Sequence, residues 1–382
     1  MKITDIRTIV VGNPWKNWVF VVVETSDGIS GLGEATGGLS TMPNKEAVEE
    51  IKHLAIGKNP LEISNIVDEL YKALFLKMTP AVAAIEIACW DILGKHLKVP
   101  IYQLLGGKVR DKVRVYANGW YSGERSPENF GEKAKSLADK GYTALKFDPF
   151  GSEYLRLDKE SEIFIKKIVR SVRDSVGPNV ELMIEGHKRF NTVEAIKIAN
   201  WLNEFEVTWF EDPIDNDDID SLIHVSNNSP VRIIAGEGFD DHKDFTRFVS
   251  SNATDIVNPE VMRIGGISGA VKVAGICSSF DVDLAFHNAE SPLKTMTTLQ
   301  LCGGIKNIYI QECFDEFNAD WIEELFPNYE KVKNGYLSIP DRPGLGISIN
   351  ESVAKDHPYN KSNFLRMFKP GWENRKGASG SE

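Results

Sequence analysis

A chain of 382 residues, 42% of them apolar, can bury a large core, either as two domains or as one large barrel with an addition. With 55 acidic against 44 basic residues its formal charge is −11, which excludes a nucleic-acid backbone or an anionic membrane as partner, since both demand clustered cations. A small anionic substrate stays open, because a bound cation reverses the field inside one pocket.

Residues 1 to about 110 open with alternating β-branched runs, KITDIRTIVV and WVFVVVETSDG, which predict antiparallel strands closed by an Asp27-Gly28 turn. The glycine-rich GISGLGEATGG (Gly28 to Gly38) follows; it opens no βαβ unit and reads as a mobile loop. Helical patterns come next, of which Val82 to Lys95 is apolar nearly all round and predicts a buried helix. This first third is a small α+β unit.

From Val113 the texture changes to short apolar strands alternating with amphipathic helices. Eight strands are predicted: VRVYANG, TALKFD, VELMIEG, VTWFED, VRIIAGE, TDIVNPE, VDLAFHN and IYIQECF. Helix starts are marked by Ser126-Pro127, by Asn191 with Glu194, and by Ser268, and helix stops by Gly141 and Gly177. Eight βα units fit a (β/α)8 barrel of the TIM type better than an open nucleotide-binding sheet, whose glycine fingerprint is missing after the first strand. The division expected is a cap over 1–110, a barrel over 111–345, and a segment over 346–382 that returns to the cap and ends in a disordered tail, ENRKGASGSE.

Cys89, Cys277, Cys302 and Cys313 are widely spaced in apolar surroundings and read as buried free thiols of a reducing compartment. No basic-then-apolar leader is visible, and the longest apolar runs are short or broken by Glu86 and Asp91, so a soluble cytoplasmic protein is expected.

In a barrel of this kind functional side chains stand at the C-terminal ends of strands. The third, fourth and fifth strands end at Glu185, Glu211 and Glu237, and 211 − 185 and 237 − 211 are both 26, one βα unit each. Three carboxylates converging on one mouth repel one another unless a cation lies between them, and an all-oxygen set points to Mg2+ rather than zinc. His187 follows Glu185 by two residues and, on an extended strand end, faces the same pocket. His287 ends the seventh strand and Glu260 the sixth, neighbours in a barrel; a carboxylate beside an imidazole suits a general base. His53, His96, His224, His242 and His357 have surface or packing contexts.

Together these features resemble the enolase superfamily, and within it the mandelate racemase group. The resemblance spans nearly the whole chain: AAIEIACWDILGKHLKVPIYQLLGG (Ala83 to Gly107), the Glu185/Glu211/Glu237 triad, NPEVMRIGGIS (Asn258 to Ser268), FHN, IQE (Ile310 to Glu312) and PDRPGLGI (Pro340 to Ile347). It implies magnesium holding the carboxylate of an acid substrate while a base removes the adjacent proton. It also implies that Glu312, protonated or hydrogen-bonded to the substrate carboxylate, helps to stabilise the enediolate.

Two details choose the reaction. The second lysine of the K-x-K typical of racemases is replaced, in Lys146-Phe147-Asp148, by an acid, while E-x-H at the third strand resembles sugar-acid dehydratases of the gluconate and galactonate type. The resemblance then makes His287, oriented by Glu260, the base and His187 the acid that protonates the departing hydroxyl. Glu260 stands where the group usually carries Asp. Lys146 and Asp148 border the pocket as substrate contacts, with neutralisation of the carboxylates an equal reading for Lys146. Trp15, Trp18 and the loop from Gly28 to Gly38 belong to the cap that closes over the mouth in the family.

The expected activity is Mg-dependent dehydration of an aldonic acid, gluconate, galactonate or a pentonate, to a 2-keto-3-deoxy acid. The alternatives are racemisation or epimerisation of a hydroxy acid, and a non-catalytic barrel scaffold. The partners expected are the small sugar acid and further copies of the chain, with the family often octameric.

Overall fold

The structure is a computed structural model that describes residues 1–37, 40–73, 79–215, 217–364 and 366–372. The tail, 373–382, lies outside them. The chain opens with strands β1 (Ile3–Val11), β2 (Trp18–Thr25) and β3 (Ser30–Glu34), then helices α1 (Thr41–Ile51), α2 (Ile63–Ala73), α3 (Thr79–Leu97) and the short α4 (Ile101–Leu104). The strands form an antiparallel sheet in the order β1-β2-β3. One face of β2, with Val19, Val21 and Val23, packs against α1, α2 and α3, and α3 is buried nearly all round, as its composition predicts.

β3 corrects the sequence reading, which treats its glycines as a mobile loop. Gly31 and Gly33 point at α3, and a Cβ at either would lie about 2 Å from the carbonyl oxygen of Ala88 or Ala84. The glycines are there because strand and helix touch backbone to backbone, a use of glycine that composition does not separate from flexibility.

The alternating part follows: β4 (Lys112–Ala117), α5 (Pro127–Asp139), β5 (Ala144–Phe147), α6 (Lys159–Val176), β6 (Glu181–Glu185), α7 (Thr192–Leu202), β7 (Val207–Glu211) and α8 (Ile219–Asn227). It continues with β8 (Arg232–Ile234), α9 (His242–Ser250), β9 (Ile256–Val257), α10 (Gly266–Ser278), β10 (Asp283–Leu284), α11 (Pro292–Gly304) and β11 (Gln311–Cys313). Parallel ladders run β11-β4-β5-β6-β7-β8 and β9-β10. Between them, the amide of Asn258 donates to the Ala235 carbonyl at 3.4 Å, and Leu284 bridges Ile308 in parallel.

A separate apolar cluster contains Tyr116, Ala144, Met183, Trp209, Ile234, Ile256, Ala285 and Ile310, one residue from each of the eight strands or its flank. Side chains from all eight meet only if the strands surround a common axis, so this is a (β/α)8-type barrel with a packed interior.

Ser126 and Asn191 cap α5 and α7 as predicted, accepting from the amides of Asn129 and Glu194, and Gly177 ends α6 at φ +71°. Ser268 does not start its helix. α10 begins two residues earlier, after Gly265, and the amides of Ile267 and Ser268 donate to the Glu86 carboxylate of α3. The cap is coming from another part of the chain, so no local signal announces it.

After α12 (Ile322–Leu325), β12 (Tyr336–Ser338) pairs antiparallel with β4, and α13 (Glu351–Asp356) returns to the first sheet. Arg7 of β1 holds Glu351 through two bonds of 2.6 and 3.0 Å, and Asn17 donates to the carbonyls of Asn360 and Asn363. All four cysteines are buried thiols outside any disulfide. Among the described residues no helix is long and apolar enough to cross a membrane.

Candidate active site

The strand ends, the cap and the C-terminal segment enclose a cleft of about 490 Å3. Lys146, Glu185, His187, Glu237, Glu260 and His287 line it from the barrel, Trp15, Lys16 and Asn44 from the cap, and Met367 and Trp372 from the C-terminal segment.

Glu185 and Glu211 are direct partners in the β6–β7 ladder, so they leave the sheet at one height, and Glu237 follows β8 three residues after its end. One carboxylate oxygen from each comes within 4.8 Å of the others. Lys146 of β5 reaches into the same spot, its Nζ 2.5 Å from Glu211, 3.0 Å from Glu312 and 3.2 Å from Glu185. Asn258 and Trp209 also donate to Glu211, at 2.9 and 3.0 Å. Burial, then the neighbouring Glu211, push Glu185 well above the carboxylate range. Glu237, despite burial, is held well below it by His287 and Lys188. Three carboxylates, two buried and one half-buried, around an all-oxygen centre fit a hard divalent cation, which would offset their repulsion.

His287 and Glu260 meet as the strand order implies, with Nδ1 donating to Oε2 at 2.6 Å; the extra methylene of Glu against Asp is accommodated. Glu260 also accepts from the Met262 amide and from Lys294. Lys294 pairs with Glu290 as well, and Glu290 with Lys16 of the cap at 2.9 Å, so a buried chain of alternating charges runs from cap to imidazole. Burial alone would lower the His287 pKa, but Glu237, 3.2 Å from Nε2, and Glu260 push it up to about 9.

His187 reaches the cleft by a different route from the one strand alternation suggests. β6 ends at Glu185, and His187 and Lys188 take left-handed backbone conformations, φ +49° and +57°, while the His187 amide donates to Glu185 at 2.7 Å. A tight turn rather than the pleat aims the ring. Burial lowers its pKa, against the opposing pull of Asp148.

Asp148 is not in the cleft. It is fully buried behind His187, accepting from the ring at 2.6 Å, from the Phe150 amide at 2.8 Å and from Arg189. Two residues on from Lys146 but past the strand end, Asp148 no longer follows the strand's alternation, and its oxygens go to His187, Phe150 and Arg189, so it backs an imidazole instead of lining the cleft.

Glu312 is fully buried too, and Asn118 at 2.7 Å, the Asn288 amide at 2.6 Å and Lys146 occupy its oxygens. Burial favours its protonation, but Lys146 and His287 outweigh that and lower its pKa. Its carboxylate communicates with the cleft through Lys146 and Asn118, which line the cleft and stand in front of it.

Asn118, Arg189, Glu290 and Lys294 escape the sequence reading. Asn118 lies just beyond the first barrel strand, so the strand-end rule reaches it. Arg189 sits in the loop after β6, Glu290 in the loop between β10 and α11, and Lys294 in the first turn of α11, where only the i,i+4 charge pair of Glu290 with Lys294 marks them.

Residues 7–106 match the N-terminal domain of the mandelate racemase / muconate lactonizing enzyme family, and 129–353 match the family described as enolase C-terminal domain-like. The chain belongs to the enolase superfamily. It is 36% identical over 368 residues to a D-gluconate/D-galactonate dehydratase of Picrophilus torridus, covering 94% of this chain and 93% of the relative. It is 33% identical over 377 residues to a D-xylonate dehydratase of Haloferax volcanii, covering 93% and 89%. Its fold matches a mandelate racemase/muconate lactonizing enzyme structure from Sulfitobacter with a TM-score of 0.90 at 28% identity, covering 97% and 98%. Enolase superfamily enzymes use a divalent metal, and the buried acidic cluster of this member suits one.

Proposed function

We propose that the protein is a hydro-lyase that dehydrates an aldonic acid, a hexonate such as gluconate or galactonate or a pentonate, to a 2-keto-3-deoxy acid, with Mg2+ as its metal. The observation that carries this is the pairing of two imidazoles, each with its own carboxylate: His287 with Glu260 and His187 with Asp148, both at 2.6 Å and both lining one cleft. They follow the seventh and third barrel strands, four places apart in a ring of eight, so they approach a substrate from opposite walls.

Bound at Glu185, Glu211 and Glu237, the cation supplies Lewis-acid stabilisation of the negative charge that develops on the substrate carboxylate. The protein's own groups do the rest. Glu260 fixes the His287 tautomer through Nδ1 and leaves Nε2, 3.2 Å from Glu237, as the atom that takes the proton next to the carboxylate. The high proton affinity of His287 comes largely from Glu237, one of the residues that would hold the cation. Lys146 and Asn118 offer donors to the developing oxyanion. His187, held through Nδ1 by Asp148, gives a proton to the hydroxyl leaving the next carbon.

The reading also divides the chain into a cap, 1–110, a barrel, 111–345, and a returning segment, 346–382, and takes the protein as a cytoplasmic homo-oligomer. The buried thiols support a reducing compartment, and sedimentation tests the assembly.

The test is a panel of aldonates with Mg2+, assayed for semicarbazide-reactive keto acid and for deuterium uptake from solvent. Keto acid from at least one substrate, abolished in His287→Asn, is expected. Deuterium exchange without keto acid would make the protein an epimerase or racemase, and no turnover of any kind would favour a silent scaffold.

A further inference from the structure

The reading of His187 as the acid leaves a structural question, since its ring stands on a left-handed turn outside the sheet and its polar contacts, with Asp148 at 2.6 Å and Arg189 at 3.4 Å, both meet Nδ1 and do not fix the tilt of the ring. The second constraint comes from the far end of the chain. Trp372 is 6% exposed, and its ring meets the His187 ring edge-on, centroids 5.6 Å apart at 87°. Its indole N–H donates to the Gly151 carbonyl at 2.9 Å. The same carbonyl accepts from Arg189 at 2.8 Å, and Arg189 is the cation that pairs with Asp148. Phe368 then covers the Arg189 guanidinium, 4.5 Å from its ring centre, with Phe150 near the same cation at 5.6 Å.

We propose that the segment Met367–Trp372 is the lid of the acid half of the active site: Trp372 is a positioning residue for His187, and Phe368 one for the Arg189–Asp148 pair behind it. This rests on the dehydratase reading. The geometry gives the segment three effects. It excludes water from a buried ion pair, which strengthens the Asp148–His187 contact. It locks the imidazole against rotation, and misplacement of a proton donor by about 1 Å can slow a reaction on the order of 100-fold. It also closes one wall of the cleft, where Met367 and Trp372 face the substrate.

The step affected is the second half of the reaction. After proton removal by His287, the electron pair of the enediolate forms the double bond to the neighbouring carbon as that carbon's bond to oxygen breaks. The oxygen leaves with its pair and takes the His187 proton, departing as water. If fluorine replaces this hydroxyl, it leaves as fluoride with its own pair and needs no proton.

The experiment compares three rates in Trp372→Ala, Trp372→Phe and the intact enzyme: deuterium exchange next to the carboxylate, keto acid from the aldonate, and fluoride from its 3-deoxy-3-fluoro analogue. In Trp372→Ala we expect exchange and fluoride release within about threefold of the intact enzyme and keto acid about 10- to 100-fold slower. Trp372→Phe, which keeps an aromatic edge, recovers most of the loss. Equal losses in all three rates, or no loss in any, would overturn the proposal.

His187→Asn separates this from the function itself. If it slows all three rates alike, the acid assignment fails, whatever Trp372 does. Imidazole NMR of His187 then still decides the contact, because loss of the indole must shift its ring resonances, and unchanged resonances would sink the positioning claim on their own.

Discussion

At the scale of single residues, the site is a set of imidazoles held at Nδ1 by a carboxylate and of carboxylates that share cations, Lys146 alone meeting Glu185, Glu211 and Glu312. Glu260 illustrates how narrow the tolerance is, because one oxygen serves His287 and Lys294 together and the other takes the Met262 amide. Glu260→Asp, the residue usual in the group, removes a methylene from a position where the longer chain makes contact at 2.6 Å. Restoring the family residue should therefore not help. We expect kcat to fall by roughly 10- to 100-fold with metal affinity unchanged, read by steady-state kinetics and calorimetric titration of the cation. Glu260 also shows the limit of reading residues one at a time: the His–acid pair is legible from strand order, whereas Lys294, which holds the same oxygen, comes from a helix and carries no strand-end signal.

At the scale of elements, two carboxylates tie pieces of structure together. Glu86, buried in α3, accepts from the Ile267 and Ser268 amides at the start of α10 and from Trp90 in its own helix. Glu86→Ala takes the acceptor from the Ile267 and Ser268 amides, while Trp90 keeps the Ser268 hydroxyl at 3.1 Å, so chemical denaturation should show a loss of about 2–4 kcal/mol. Glu162 joins α6 to α7 through Lys197 at 2.9 Å and also pairs with Lys166 at 3.2 Å. Lys197, then Lys166, lower its pKa from 4.5 to about 2. A depressed acid gives stability that is present above the unfolded value and lost as pH falls through the folded one. The lysines are partly exposed, and solvent screening reduces the contribution to about 1 kcal/mol. In Glu162→Gln, thermal unfolding followed between pH 4.5 and 2 should accordingly vary less steeply with pH than in the intact protein.

At the scale of the whole molecule, the cleft is assembled from three remote stretches of chain: the loop with Lys16, the barrel strand ends, and the segment with Trp372. The metal centre couples to this assembly. A cation bound by the folded protein alone stabilises it by ~2.7 kcal/mol at a hundredfold excess over its Kd. Magnesium should therefore raise the unfolding midpoint, EDTA should reverse the rise, and Glu211→Gln should abolish most of it. An unfolding midpoint that ignored the cation in the intact protein would remove the metal centre.

The sequence by itself determined the eight βα units, the buried helix of the cap, the carboxylates at successive strand ends and the proximity of His287 to Glu260. All of these follow from period and order, because a strand end has one place in a ring. Only the tertiary structure decided the rest. Gly31 and Gly33 form a strand because a helix presses on them, and α10 starts at Gly266 because a distant glutamate receives its amides. Asp148 and Glu312 are withdrawn from the cleft because neighbours from other elements use up their oxygens. Trp372 covers His187 across 185 positions of chain, 372 − 187, a distance over which no local pattern carries information.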